Sequence, residues 1–186
     1  MKKIAISLAV AGLLISSASA ESKLYIGYEQ GSGFGERTYT NGNAATSVNI
    51  YSEEKSFKIG KQQDNFNKWE FEYGQQTLSN ALDSSDKNEI TTYKVNTIIS
   101  LLSISYEDIV IPYFEAGVGL SSNDIHDGGL ATHLGLGIMY NATENIQLNV
   151  KYKTNTNIGS TFLDGYSGMQ FGMAYIFWDC KQFCVN

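Results

Sequence analysis

From Ala131 to Tyr140 the residues alternate in character one by one. Thr132, Leu134, Leu136, Ile138 and Tyr140 fall on one parity, and Ala131, His133, Gly135, Gly137 and Met139 on the other. A period of two places successive side chains on opposite faces of a β-strand. The same dyad recurs along the chain. Leu24, Ile26 and Tyr28 oppose Tyr25, Gly27 and Glu29; Phe57 and Ile59 oppose Lys58 and Gly60; Trp69, Phe71 and Tyr73 oppose Glu70, Glu72 and Gly74. It continues in Tyr93 to Leu101, Tyr113 to Leu120, Ile146 to Lys153 and Met169 to Phe177. About eight strands are predicted, each with one greasy face and one small or charged face.

Which face points outward decides the class. A water-soluble barrel of the lipocalin type would put the greasy face inside, but eight strands enclose too little volume for that many large side chains. A transmembrane barrel puts it outside, against lipid, and tolerates a polar interior. The expected fold is therefore all-β: a single eight-stranded, antiparallel, up-and-down transmembrane β-barrel. Short connections near Asp64-Asn65, at 141–144 and at 105–108 would face the periplasm. Segments 34–54, 78–89, 121–130 and 155–165 are expected as outer loops, the first being the longest.

Composition agrees with many strands and turns: 18 Gly, 12 Tyr and 9 Phe against 1 Pro. At the front, Met1-Lys2-Lys3, an apolar run from Ile4 to Ile15 and Ala18-Ser19-Ala20 read as a cleaved secretory signal peptide. The expected division is thus signal peptide 1–20, barrel 21–178 and a periplasmic tail 179–186. Without Lys2 and Lys3 the chain carries 11 basic and 19 acidic residues, a formal charge of −8 (11 − 19). That balance argues against nucleic acid as a partner.

The inward set sorts by sign into Glu29, Glu70, Glu72 and Glu115 against Lys58, Lys94, Lys151 and Lys153. Charges taken from water must be paired, so this set predicts an interlocked salt-bridge network filling the lumen. A gated ion path through the same network is the alternative. Cys180 and Cys184 stand four apart in an oxidising compartment, where a small disulfide loop is the favoured reading. His126 and His133 are the two histidines; a barrel enzyme would need one as its base, and neither has a serine two residues on. Asp124, His126 and Asp127 would be compatible with an acid/base or cation site in a loop, but polar loops carry such residues routinely. No catalytic residue, metal site or cofactor is assigned.

Gln170-Phe171-Gly172-Met173-Ala174-Tyr175-Ile176-Phe177 resembles the C-terminal β-signal of bacterial outer-membrane proteins, with Gln170, Gly172, Tyr175 and Phe177 as its marked positions. Ile111-Pro112-Tyr113-Phe114-Glu115-Ala116-Gly117-Val118-Gly119 and the hairpin around Asn141-Ala142-Thr143-Glu144 are similar to segments of the OmpA/OmpX-like small outer-membrane β-barrel family. The resemblance spans the mature chain, although members commonly stop on the terminal aromatic and this chain runs on to Asn186. It implies export to the cell outer membrane, surrounding lipids and lipopolysaccharide, insertion by the barrel machinery and a monomeric state. Its implied use is structural, with outer loops for adhesion or contact with host surfaces. A narrow porin-like channel for small solutes is the alternative, and a lipid-modifying barrel enzyme the third.

Overall fold

The computed structural model describes residues 23–41, 44–80, 87–104, 110–123, 128–159 and 162–179. Residues 1–20, expected as a signal peptide, lie outside them, as do Cys180, Cys184, Asp124, His126 and Asp127; Asp179, expected in the tail, is the last residue of β8. The described chain is eight strands: β1 (Lys23–Asn41), β2 (Ala44–Gln62), β3 (Asn67–Asn80), β4 (Lys87–Ser100), β5 (Val110–Asn123), β6 (Gly129–Asn141), β7 (Ile146–Ile158) and β8 (Phe162–Asp179). Each pairs antiparallel with the next, and β8 pairs back onto β1, so the sheet closes. Closure leaves no edge strand to be solvated, which is what a sheet needs in order to sit in lipid.

The register fixes the shape. Following hydrogen-bonded partners from Gly27 on β1 leads through Lys58, Glu72, Lys94, Gly119, Ala131, Asn157 and Asp164, and returns to β1 at Arg37. The stagger is ten residues (37 − 27). With eight strands, usual strand spacing and usual rise, that stagger corresponds to a tilt of roughly 40°. The lumen is then only wide enough for side chains.

Local chemistry sets the turns at one end. At the β2–β3 turn, Asp64 Oδ1 accepts from the amides of Phe66 at 2.7 Å and Asn67 at 2.8 Å. At the β6–β7 turn, Thr143 Oγ1 accepts from the amide of Ile146 at 3.0 Å. After β4 ends at Ser100, Leu101 and Leu102 lie exposed and the chain folds Ile104 back under the barrel, 3% exposed. The amide of Ile104 donates to the carbonyl of Asn65 at 2.7 Å, and Asn141 Nδ2 donates to the carbonyl of Ile104 at 2.6 Å.

The other end differs from expectation. Segment 34–54 is not a long loop: β1 and β2 stay paired without a break from Lys23↔Gln62 to Asn41↔Ala44. Segment 155–165 is likewise mostly strand, with β7 running to Ile158 and β8 starting at Phe162. The greasy outward residues stop before the strands do, because a tilted strand crosses the apolar layer in about 9–11 residues. β1 and β2 have 19 residues each and rise about 48 Å along the barrel axis. They therefore extend well past an apolar band about 25 Å tall.

Candidate functional site: the barrel lumen

The inward face is stacked in three layers. At the end that carries the short turns, Ile98, Ile104, Ile111, Tyr113 and Met139 form a buried apolar cluster beside Tyr25, Ala174 and Ile176. Two ladder glycines make room for the rings. A Cβ on Gly60 would run into the Tyr25 ring, and one on Gly137 would lie 2.7 Å from the Tyr113 ring. Lys68 sits in this layer, where its ammonium donates to Gln147 Oε1 and lies 4.9 Å over the Tyr25 ring.

The middle layer is ionic. Lys58 Nζ lies 3.0 Å from Glu29, 2.5 Å from Glu70, 3.6 Å from Glu72 and 3.3 Å from Glu115. Lys151 Nζ lies 2.7 Å from Glu29 and 2.6 Å from Glu115. Lys94 Nζ reaches Glu72 at 2.7 Å and Glu54 at 3.4 Å, and Lys153 Nζ reaches Glu54 at 2.9 Å and Glu72 at 3.4 Å. Neutral donors fill the gaps. Asn96 Nδ2 donates to Glu70 at 2.9 Å and to Glu72 at 2.8 Å, Tyr25 donates to Glu70 at 2.9 Å, and a ring nitrogen of His133 lies 2.9 Å from Glu115. Glu29 is held through its ion pairs to Lys58 and Lys151.

The third layer closes the opposite end. Ile50, Leu78, Ile90 and Tyr166 form an apolar cluster with Val48 against it. Beside them Arg37 grips Asp164 bidentately, Nε to Oδ1 at 2.6 Å and Nη2 to Oδ2 at 2.9 Å, with the Asp164 side chain fully buried.

The structure brings all eight of the sequence-derived charges, Glu29, Lys58, Glu70, Glu72, Lys94, Glu115, Lys151 and Lys153, into one network. It also adds Glu54 to that network, while Lys68 in the layer below is a further buried inward lysine and Arg37 and Asp164 add one charge of each sign. Sequence reasoning missed Glu54, Arg37 and Asp164 by assigning their segments to loops. The signal was present: each continues the inward parity of its strand, Glu54 after Lys58 and Ser56, Arg37 after Gly33 and Gly35, Asp164 before Tyr166 and Gly168. The β-signal positions have structural places as well. Gln170 Nε2 donates to Glu54 at 2.5 Å, Gly172 lies against the Glu29 side chain, and Tyr175 and Phe177 face outward.

Among the described residues, cavities of about 20 Å³ and about 10 Å³ lie along the lumen. Neither holds more than about one water. Among the described residues Glu72, Glu115 and His133 bring ligand atoms within 4.8 Å of one another, a spacing a metal ion could use. Lysine ammoniums at 2.6–2.7 Å from these two carboxylates already supply the counter-charge and compete with any cation.

The same fold occurs in Neisserial surface protein A, NspA, whose crystal structure superposes with a TM-score of 0.59 at 16% identity, covering 84% of this chain and 99% of that one. The N-terminal barrel of Pseudomonas aeruginosa OprF (TM-score 0.49, 14% identity, 84% and 100% coverage) and Yersinia pestis Ail (0.41, 14%, 85% and 100%) are also matched. No protein-family model matches the chain, and no curated protein matches it. The shared fold is the closed, eight-stranded antiparallel barrel.

Proposed function

We propose that the protein is an outer-membrane surface protein, a closed barrel that anchors projecting hairpins for adhesion or contact with host surfaces. The observation that carries this reading is the filled lumen: among the described residues, an ionic layer lies between two apolar layers and leaves cavities of only about 20 Å³ and about 10 Å³. A barrel closed in this way has its outer surface left to work with.

Two further features support it. The wall is greasy, with Leu134 69% and Phe57 61% exposed, a surface that would aggregate in water and is at home in lipid. Beyond that wall the β1–β2 hairpin carries Phe34, 71% exposed, with the Tyr51 ring 5.2 Å away on the paired strand. Exposed aromatics on a paired hairpin are the residue type that anchors protein contacts. In this reading the barrel is monomeric, lipids and lipopolysaccharide surround the wall, and the insertion machinery reads the strand with Gln170, Gly172, Tyr175 and Phe177.

The test is to replace the outward Phe34 and Tyr51 by serine and measure attachment of expressing cells to host cells. Attachment should fall while the barrel keeps its heat-sensitive fast migration on gels. Unchanged attachment would sink the adhesive role.

A further inference from the structure

The lipid-facing wall is interrupted by a groove of about 510 Å³ that crosses from β3 to β7. Its lining comes from two neighbouring rungs of the ladder, Trp69–Thr97–Ala116–Leu134–Thr154 and Val95–Val118–Thr132–Thr156, and the floor passes from the first at Ala116 to the second at Thr132. Four strand spacings make it about 19 Å long. The floor residues Thr97, Ala116, Thr132 and Thr156 are small and half-buried, whereas Trp69, Val95, Val118 and Leu134 stand exposed as its ridges. The ring of His133 lies behind the floor, turned into the lumen toward Glu115.

The two ends of the groove differ chemically. Trp69 stands near the start of β3, at the short-turn end of the barrel, and Thr156 near the end of β7, at the opposite end. The lower end carries a single hydroxyl, that of Thr97, beside the Trp69 ring. The upper end gathers the hydroxyls of Thr132, Thr154 and Thr156; Thr132 and Thr156 are ladder partners, and Thr154 Oγ1 lies 2.9 Å from Ser167 Oγ. Hydroxyls on a lipid-facing wall are favourable where the bilayer offers hydrogen-bonding groups, which is where acyl chains join their headgroups.

We propose that this groove holds one acyl chain of a membrane lipid, its polar linkage at Thr132, Thr154 and Thr156 and its chain running down over Ala116 and Thr97 toward Trp69. The proposal rests on the membrane-barrel reading above. A second copy of the chain fits less well, because 11 residues line the groove and a stable protein interface uses about 20–30 a side. The groove is also continuous with a wall that already faces lipid, and its depth matches the polarity gradient of a single leaflet.

Wild type and the double variant Ala116→Leu/Thr132→Leu are refolded into dimyristoylphosphatidylcholine vesicles, extracted in mild detergent and weighed intact by native mass spectrometry. Wild type should carry one phosphatidylcholine, and filling the floor should cut that population roughly tenfold or more, about 1.4 kcal/mol of affinity. Thr91→Leu, a leucine of equal size outside the groove, should leave it unchanged. Wild type without lipid, a lipid that persists after the floor is filled, or a dimer lost in its place would each overturn the proposal. If instead wild type fails to insert and stays heat-insensitive on gels, the membrane-barrel reading itself falls and the groove proposal with it.

Discussion

Lys58, at mid-height in the lumen, sits within 3.6 Å of four carboxylates, whereas Ile111, one layer below it, is completely buried in an apolar cluster. The two regions resist change for opposite reasons. In the apolar layer, side chains are held by packing, and a truncation costs the transfer energy of the lost atoms plus a cavity. In the ionic layer the attraction is largely offset by the cost of dehydrating each charge, so the network adds little net stability as a whole and a great deal of sensitivity to any single loss. The two also depend on each other. Apolar layers above and below keep water out, and without water each charge needs its neighbour.

Lys58→Met should therefore have the largest effect, because Glu29, Glu70, Glu72 and Glu115 all lose a partner at once. Its expected cost is about 3–5 kcal/mol, read from the urea midpoint of unfolding in vesicles. Ile111→Ala should cost about 3 kcal/mol by the same measurement. A Lys58→Met cost well below that of Ile111→Ala would break the contrast, since the ions would then be hydrated or loosely paired. Asn96→Ala sharpens it: Asn96 bridges Glu70 and Glu72 without a charge, so its removal should cost less, about 1–3 kcal/mol.

The smallest effect is expected outside both layers, at Asp64 in the β2–β3 turn. Slight burial pushes its pKa up, but hydrogen bonds from the Asn67 side chain and from the amides of Phe66 and Asn67 outweigh this and hold it below the ordinary value. A carboxylate with a lowered folded pKa stabilises the fold above its unfolded pKa, about 3.9, and loses that contribution as pH falls through the folded value. Wild type should thus lose a small increment of stability below about pH 4, and Asp64→Asn should lack that step. An identical acid profile in the two proteins would show that the turn hydrogen bonds carry no weight.

Parity was legible in the sequence. Residues such as Leu134 and Lys153 were assigned to the wall and the lumen from alternation alone, because a strand has only two faces. Height was not legible. That Ile50 and Tyr166 cap one end while Ile111 and Met139 close the other depends on the stagger of ten residues, which places residues distant in sequence at one level. The ends of β1, β2 and β8 were misread for a related reason. Outward residues such as Gln30, Ser32 and Glu53 lack the greasy character of a membrane strand, although the backbone ladder continues beneath them. The inward partners Glu54, Arg37 and Asp164 were hidden by that loss of contrast. The groove between Trp69 and Thr156 was not visible at all, since its floor is assembled across four strands.

The closed lumen is tested most directly by refolding residues 21–186 into planar bilayers and recording single-channel currents across a range of voltages. With an ionic layer sealed between two apolar ones, no steady conductance should appear. Reproducible openings would contradict the account, because the layers would then have to part and transport would become the leading function.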